Sequence, residues 1–271
     1  MQNNFTPTVL TIAGLDPYGG AGIQVDSKVI HALGGYAFSV PTALTAQSSQ
    51  GVSAVQSTSP EIFRMQLETL LEDVKVDAVK IGMLANAEII SIVAKIIDKY
   101  DLKNIVLDTV LVSSSGKMLL EPSAIDLMVK ELFPRVDLIT PNLPEINTLL
   151  DTSYSGKEDE VTDIANAFFK RGVNAVLIKG GHSLDQHKAT DYLVTGSLAE
   201  NSFTTPRVKT THTHGTGCFL SSSIASYLAK DENLEKSVAY AKEFLYQNLQ
   251  TSSSINFKYV VSSAIRKEPL L

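Results

Sequence analysis

The chain has 271 residues, of which 44% are hydrophobic and 19% charged, and this length can bury the core of one large α/β domain. Its net charge of −6 is modest and its charged residues are interspersed, which excludes the clustered positive surface of a nucleic-acid-binding protein. Gly14 and Asp16 interrupt the first apolar residues too early for a signal or membrane segment. We expect one domain, residues 1–271, in the cytoplasm.

Short apolar runs separated by helical patterns indicate a parallel sheet. The runs that predict strands are Thr8–Ala13, Ala78–Ile81, Asn104–Leu107, Asp137–Thr140 and Ala175–Lys179. The patterns that predict helices are Glu61–Asp73, Ala87–Tyr100, His214–Leu228 and Leu234–Leu249. Ser59 and Asn86 stand where the first two of these helices need a cap. The repeated order of strand and helix predicts a three-layer α/β/α sandwich with a mostly parallel central sheet.

Two segments depart from this alternation. Residues Tyr36–Gln47 form a long extended stretch, and Asp191–Val194 with Asn201–Thr204 predict a hairpin that turns near Gly196. We expect these segments at an edge of the sheet or in a flap.

Two glycine-rich segments stand next to predicted helices. The first runs from Gly14 to Gly22 after the first strand, and the second is His214–Cys218. Successive backbone N–H groups in such turns, together with the dipole of the following helix, form an anion hole. This pattern favours a phosphate-transfer enzyme, because such N–H groups neutralise the charge of a moving phosphoryl group. Each segment alone is also compatible with an ordinary turn that needs glycine only for its geometry.

Two common nucleotide-binding motifs are missing from the sequence. Gly20-Ala21-Gly22 begins a dinucleotide fingerprint, but Val25 stands where the third glycine is required. The Gly-Lys pairs at residues 116 and 156 are not followed by Ser or Thr, so neither is a Walker A motif. A nucleotide must therefore use a different cradle.

Four motifs occur together in the order found in the bacterial hydroxymethylpyrimidine and phosphomethylpyrimidine kinases, which the chain resembles over about residues 8 to 250. The motifs are Ala13–Asp16 with Gly19–Asp26, Thr140–Glu145, Lys179–His182 and His214–Cys218. The resemblance implies a ribokinase-like fold, ATP with Mg²⁺, and a homodimer. It also implies two successive phosphorylations in thiamine biosynthesis, of 4-amino-5-hydroxymethyl-2-methylpyrimidine and then of its monophosphate.

The resemblance also assigns the substrate pocket. Its predicted residues are Gly14, Ala21, Asp26, Thr45, Gln47 and Met83. A glutamine amide supplies both a donor and an acceptor, so Gln47 can read the edge of an aminopyrimidine, and it favours pyrimidine over pyridoxal. Thr45 departs from the valine of the family, and Tyr18 replaces a smaller residue.

Catalytic roles follow from the motifs and from the chemistry of phosphoryl transfer. Most ribokinase-like enzymes carry aspartate after the Gly-x-Gly motif, and here Cys218 is the candidate base that accepts the proton of the alcohol. Lys179 is expected to neutralise the transferring phosphate. The candidate Mg²⁺ ligands are Asn142, Glu145 and Asp108. The residues expected at the ATP phosphates are Thr211, His214, Gly215, Thr216 and Gly217.

Several alternatives stay open. Cys218 is also compatible with a small buried hydrophobe, and the helix dipole and a bound phosphate shift its pKa in opposite directions. A pyridoxine or pyridoxal kinase of the same fold is the nearest rival, and an inactive pyrimidine-binding regulator is a second. The spacing of His182, His212 and His214 fits no usual zinc site. A single cysteine excludes an internal disulfide and suits a reducing compartment.

Overall fold

The computed structural model describes residues 6–113, 116–182, 187–210 and 213–251, and its strands form one mixed sheet. In chain order the strands are β1 (Thr8–Leu15), β2 (Tyr36–Ser48), β3 (Gly51–Ser57), β4 (Ala78–Ile81), β5 (Ile105–Leu107), β6 (Leu138–Ile139), β7 (Ala175–Ile178), β8 (Lys188–Thr195) and β9 (Glu200–Pro206). Across the sheet they are ordered β3-β2-β1-β4-β5-β6-β7-β8-β9. The strand runs predicted from the sequence are confirmed, with only small shifts at their ends.

The centre of the sheet is parallel and its edges are antiparallel. Strands β2, β1, β4, β5, β6 and β7 are parallel, whereas β3 pairs antiparallel with β2, and β8 and β9 close the other edge. Strand β1 lies between β2 and β4. The chain therefore passes from β1 to β2 and β3 on one side, and then returns to β4 on the other side of β1. A crevice opens at such a reversal point, beyond the carboxyl ends of the strands. The predicted extended stretch Tyr36–Gln47 is β2, the second strand from one edge, and its antiparallel partner β3 forms that edge. The predicted hairpin is β8–β9, which closes the other edge of the sheet.

Helices cover both faces of the sheet, as the alternation predicts. They are α1 (Gly22–Ala32), α2 (Pro60–Asp73), α3 (Ala87–Tyr100), α4 (Pro122–Glu131), α5 (Leu143–Leu150), α6 (Val161–Phe169), α7 (Thr216–Leu228) and α8 (Leu234–Gln250). Val9 belongs to the core formed with α1, α7 and α8, whereas its neighbour Leu10 belongs to the core formed with α2–α6. Because alternate side chains of a strand point to opposite faces, a sheet covered on both sides requires continuous apolar runs.

Local chemistry sets where the helices begin. The side chain of Asn86 accepts a hydrogen bond from the backbone N–H of Ile89, so α3 begins at Ala87 as predicted. The helix predicted from His214 begins instead at Thr216, because Gly215 adopts a left-handed conformation with a φ of 81°. Among the described residues, no helix is long and apolar enough to cross a bilayer.

The carboxyl edge of the parallel strands gathers the polar residues of the motifs. Asp16 follows β1, Met83 follows β4, Asp108 follows β5, Asn142 follows β6 and Lys179 follows β7. An isolated parallel bridge joins Asn142 to Lys179. Residues that are far apart in the sequence therefore face one crevice.

Candidate active site

A cavity of about 620 Å³ lies at the carboxyl edge of the sheet, a volume that suits a small-molecule site. Its wall contains these residues predicted for the site: Gly14, Ala21, Thr45, Gln47, Met83, Asp108, Asn142, Glu145, Lys179, His214, Gly215, Thr216, Gly217 and Cys218. Of the remaining two, Asp26 lies away from the wall, and Thr211 lies outside the described residues.

The two glycine-rich segments pack directly against each other. Gly215 has a φ of +81°, and a Cβ atom added there would overlap the carbonyl oxygen of Gly20. Gly22 has a φ of +59°, and its added Cβ atom would overlap the carbonyl oxygen of Gly14. Both glycines are therefore required by close backbone contact as well as by their conformation. This contact brings the N-terminus of α7 beside the loop that follows β1.

Substitution of Gly215 by Ala is expected to destabilise the protein by about 2 kcal/mol or more, because the added methyl group is both strained at this φ and blocked by Gly20. Urea unfolding of the variant measures this loss. Gly196→Ala is a matched control in the β8–β9 turn, where the added Cβ atom would make an ordinary contact at 3.6 Å. Equal unfolding free energies for the two variants would contradict the packing described for Gly215.

Lys179 and Asp108 form an ion pair on the cavity wall. The Lys179 Nζ atom lies 3.0 Å from Asp108 Oδ1, and Thr140 Oγ1 donates to the same oxygen at 3.1 Å. Burial opposes the ionisation of Asp108, but Lys179 and Lys80 together hold its pKa below the usual value. Burial likewise opposes the charge of Lys179, but Asp108 and Glu145 raise its pKa above the ordinary range. Both groups are therefore charged at neutral pH.

The Asp108 and Lys179 pair lies against the first turn of α7. A Cβ atom added to Gly217 would lie 3.2 Å from Asp108 Oδ2 and 3.5 Å from Lys179 Nζ. No acidic residue occupies the first turn of this helix. A helix N-terminus and a lysine charge at the same place can stabilise a transferring phosphoryl group.

Glu145 is the second carboxylate of the cavity and is held by a capping box at the start of α5. Its Oε2 atom accepts from the backbone N–H of Asn142 at 2.9 Å and from Thr109 Oγ1 at 3.1 Å. The Asn142 side chain in turn accepts from the backbone N–H of Glu145. Burial raises the pKa of Glu145 to about 7, with Asp108 adding to the rise and Lys179 opposing it. Glu145 is therefore a group that changes its charge near neutral pH.

Cys218 lies in the first turn of α7, where its half-buried side chain lines the cavity. Burial raises the pKa of Cys218 to about 11; Lys80 opposes this rise, and Asp26 and Asp108 add to it. A thiol with this pKa is protonated at neutral pH and cannot accept a proton. The predicted role of Cys218 as a base therefore has no support from the electrostatics of the site.

The raised pKa predicts slow alkylation of Cys218. A rise from 9.0 to about 11 leaves about a hundred-fold less thiolate at pH 7.5, and the thiolate is the nucleophile. Because Cys218 is the only cysteine, iodoacetamide incorporation followed by mass spectrometry reports this site alone. The same chain unfolded in urea is the matched control and is expected to react about a hundred times faster. Equal rates in the folded and unfolded chain would show that burial does not protonate the thiol.

Asp26 requires a correction, because its side chain is completely buried and does not reach the cavity wall. Lys80 Nζ donates to Asp26 Oδ2 at 2.9 Å, Ser222 Oγ donates to Oδ1 at 2.6 Å, and Thr11 also donates to Oδ2. Since its oxygens are engaged by these internal donors, Asp26 supports the floor of the site, and the structure gives no support to the predicted contact of Asp26 with the substrate.

Lys80 was missed in the sequence because it belongs to the apolar run of β4. Its side chain is 0% exposed, and a Cβ atom added to Gly82 would lie 2.8 Å from Lys80 Nζ. Burial opposes the charge of Lys80, but Asp26, Cys218 and Asp108 raise its pKa above the ordinary range. The signal available in the sequence was a single charged residue inside a buried strand, which requires an internal partner.

One end of the cavity is formed by Gln47 and its neighbours. The Gln47 Nε2 atom lies 3.1 Å from His214 Nε2, and Thr45 Oγ1 lies 3.2 Å from Gln47 Oε1. His214 Nε2 also lies 3.3 Å from Asp16 Oδ2. His214, which we predicted at the ATP phosphates, is thus brought next to the predicted substrate-reading residue.

On the side of the sheet where β8 and β9 lie, the cavity wall contains residues that no sequence motif indicated. Leu245, Tyr246 and Leu249 of α8 supply apolar wall, and Arg207 donates to the carbonyl oxygen of Gly181 at 2.9 Å. Lys242 forms a buried ion pair with Asp191, at 2.7 Å, and Asp191 accepts from the backbone N–H of Gly180. These contacts fix the turn that follows Lys179. These residues belong to none of the motifs described above, so the sequence alone did not indicate a role for them.

A mostly parallel sheet between two helical layers, with a lysine and a glycine-rich helix N-terminus at its carboxyl edge, defines a kinase of the ribokinase-like class. Comparison with known sequences specifies the family further. The sequence profile of phosphomethylpyrimidine kinase matches residues 16–262, and the chain belongs to that family.

Individual proteins similar to the chain include members of this family and a pyridoxal kinase. The chain is 44% identical over 246 residues to a hydroxymethylpyrimidine/phosphomethylpyrimidine kinase of Escherichia coli, covering 91% of this chain and 92% of the relative. A crystal structure of phosphomethylpyrimidine kinase from Clostridium difficile is 36% identical with a TM-score of 0.79, covering 89% of this chain and 99% of the other. A pyridoxal kinase from Staphylococcus aureus in complex with AMP-PCP and pyridoxal is 31% identical with a TM-score of 0.84, covering 93% and 91% of the two chains.

Proposed function

We propose that this protein transfers the γ-phosphoryl group of ATP to 4-amino-5-hydroxymethyl-2-methylpyrimidine, and then a second one to the resulting monophosphate, in thiamine biosynthesis. The observation that carries the proposal is that one cavity wall contains Gln47 on β2, the Asp108–Lys179 ion pair after β5 and β7 beside the α7 N-terminus, and Arg207 after β9, in the order of these strands across the sheet. An aminopyrimidine fits the Gln47 end, where an amide can read its ring edge. The adenosine of ATP fits the apolar α8 end.

The reaction follows from this arrangement. The hydroxymethyl oxygen attacks the γ-phosphorus, the bond from that phosphorus to the bridging oxygen breaks, and ADP leaves. Lys179 and the N–H groups of the first turn of α7 face the charge that develops on the phosphoryl oxygens. In a loose transition state the alcohol proton leaves late and can pass to an oxygen of the transferred phosphoryl group, so a strong base is not required. The protonated thiol of Cys218 is consistent with this course.

Glu145, Asn142 and Asp108 suit a Mg²⁺ ion that accompanies ATP. Their oxygen atoms are the ligand type that Mg²⁺ prefers, and all three residues line the cavity beside Lys179. No donor among the described residues contacts Glu145 Oε1, so that oxygen can face a cation. When bound, Mg²⁺ would neutralise charge on the β- and γ-phosphates.

Mg²⁺ affinity is expected to fall by about ten-fold from pH 8 to pH 6. Because the pKa of Glu145 is about 7, the carboxyl group is ionised above pH 7 and must lose a proton to bind a cation below it. The apparent activation constant for Mg²⁺ at saturating ATP, measured across this range, tests the sign. Glu145→Gln is the control, since it removes this titration while the titration of ATP itself remains. An equal pH dependence in both proteins would exclude Glu145 as a ligand.

The central test is ATP consumption by the purified protein with Mg²⁺, offering hydroxymethylpyrimidine, its monophosphate and pyridoxal in parallel, with products identified by mass. We expect turnover of both pyrimidines and little pyridoxal product. Binding of the pyrimidine without turnover of any substrate would indicate a regulator that kept the fold and lost catalysis.

A pyridoxal kinase is the second candidate, supported by the TM-score of 0.84 to the Staphylococcus aureus complex. Both substrates are substituted aromatic rings with a hydroxymethyl group, so the same cavity can accommodate either. The higher identity of 44% to the Escherichia coli relative, and the position of Gln47 on the cavity wall, favour the pyrimidine. Pyridoxal as the preferred substrate in the central test would reverse this order.

The chain is further proposed to act as a single catalytic domain of residues 1–271, as a homodimer in the cytoplasm. Tyr36 and Leu44 of β2 are 52% and 50% exposed, and an interface on this strand would cover them. Sedimentation equilibrium measures the assembly, and a mass of one chain at micromolar concentration would exclude the dimer.

A further inference from the structure

Asp16, His214, Gln47 and Thr45 form a connected chain of side chains at the Gln47 end of the cavity. Asp16 is only 2% exposed, and its carboxylate is held by the backbone N–H groups of Tyr18, at 2.9 Å, and Gly20, at 3.1 Å. Its Oδ2 atom lies 3.3 Å from His214 Nε2, which in turn lies 3.1 Å from the Gln47 amide. The amide is thus tied to a fixed carboxylate through one histidine ring.

The hydrogen atoms of this chain favour one arrangement. Asp16 Oδ2 can only accept, so His214 Nε2 is best placed when it carries a proton and donates. The Gln47 atom that faces His214 is placed as Nε2 in the structure, but it must then be the oxygen, which shares this hydrogen with Asp16, because a nitrogen there would oppose a second donor. Nitrogen and oxygen of an amide are assigned from such networks, since they are nearly identical in shape.

Thr45 supports the same arrangement from the other side of the amide. Its hydroxyl has one hydrogen, which Leu15 carbonyl oxygen accepts at 2.9 Å. The amide atom of Gln47 next to Thr45, at 3.2 Å, is then satisfied only if it donates, which makes it the nitrogen. Both neighbours therefore place the oxygen toward His214 and the nitrogen toward Thr45.

We propose that His214 is a specificity-determining positioning residue, whose Nε2–H group, anchored by Asp16, fixes the orientation of the Gln47 amide. When its orientation is fixed, the Gln47 amide presents its remaining N–H hydrogen and the remaining lone pair of its oxygen to the ligand at defined positions. The edge of an aminopyrimidine offers a ring nitrogen that accepts and an amino group that donates. Only one orientation of the amide places its N–H against the ring nitrogen and its oxygen against the amino group. This inference rests on the proposed function and deepens it, because it explains how the site selects a ring that carries an amino group.

The test compares kcat/KM for 4-amino-5-hydroxymethyl-2-methylpyrimidine with that for the analogue lacking the amino group. We expect His214→Leu to reduce the preference for the amino compound by about ten-fold, the effect of one well-placed hydrogen bond, through a higher KM. His214→Gln is the conservative variant, since its side-chain nitrogen can take the place of Nε2, and it is expected to restore most of the preference. In a Gln47→Leu background, His214→Leu is expected to have no further effect on the preference.

Several results would overturn the inference. An unchanged preference in His214→Leu with a raised KM for ATP would place His214 at the phosphates, as the sequence alone predicts. A pyridine-type ¹⁵N chemical shift of His214 Nε2 would show that this nitrogen carries no proton and accepts a hydrogen bond from Gln47 instead of donating one. The signal is assigned by its loss in His214→Gln. If the unaltered protein phosphorylates neither compound, the proposed function fails, and calorimetric binding of the two compounds to the same variants then decides the role of His214.

Discussion

Lys179→Ala is expected to lower kcat by about 10² to 10³, the usual cost of removing one group that stabilises the transition state. Lys179 is the ammonium group that lies between Asp108 and Glu145 and next to Gly217 of α7, and its own pKa is raised. Without it, Asp108 and Glu145 would face the incoming phosphates without their shared ion-pair partner. Steady-state kinetics with hydroxymethylpyrimidine and ATP measure the effect.

The matched control is Lys103→Ala. The Lys103 side chain is 69% exposed, and it precedes β5 at the amino end of the strand, away from the cavity. The kcat of the Lys103→Ala variant is expected to equal that of the unaltered protein. If Lys179→Ala retained kcat within two-fold of that control, Lys179 would be a structural partner of Asp108 and not part of phosphoryl transfer.

Lys80→Met is expected to lower the free energy of unfolding by about 3 to 5 kcal/mol, because it leaves the charge of Asp26 buried without its ionic partner. Both side chains of this pair are 0% exposed, and their atoms lie 2.9 Å apart. Urea unfolding followed by circular dichroism measures the loss. We also expect the double variant Asp26→Asn with Lys80→Met to lose less than the sum of the two single variants, since no unpaired charge then remains.

An exposed ion pair supplies the comparison for Lys80. Lys99 lies 3.0 Å from Glu68 on the surface, with half of its side chain exposed to water, and Lys99→Met is expected to change the stability little. Additive losses at Asp26 and Lys80 would mean that the two residues do not act as a buried pair.

Much of the fold was predictable because it depends on local patterns. The apolar run Ala78–Ile81 is a strand with the predicted ends, and the pattern Ala87–Tyr100 is a helix with the predicted ends. A strand buried on both faces needs only a continuous apolar run, and a helix needs a cap and a repeating apolar face. Helix α7 begins at Thr216 and not at His214 as predicted, because Gly215 packs in a left-handed conformation against Gly20, which is remote in the sequence.

Side-chain contacts were less predictable, since they depend on how loops from different strands pack together. Fourteen of the predicted site residues lie on the cavity wall, because the order of the motifs places them at strand ends. Asp26 fell outside the wall, since Lys80, hidden within an apolar run, holds it in the interior. His214 is 167 residues from Gln47, and no local pattern reports a contact over that separation.

By itself, the sequence determined the fold class, the family resemblance and the edge of the sheet at which the site lies, because these depend on periodicity, on glycine geometry and on the order of motifs. Only the tertiary structure decided the charge states and the partners of the functional groups. The raised pKa values of Cys218 and Glu145 arise from burial and from charges contributed by several strands and helices. Such effects depend on distance in space, which the sequence specifies only through the completed fold.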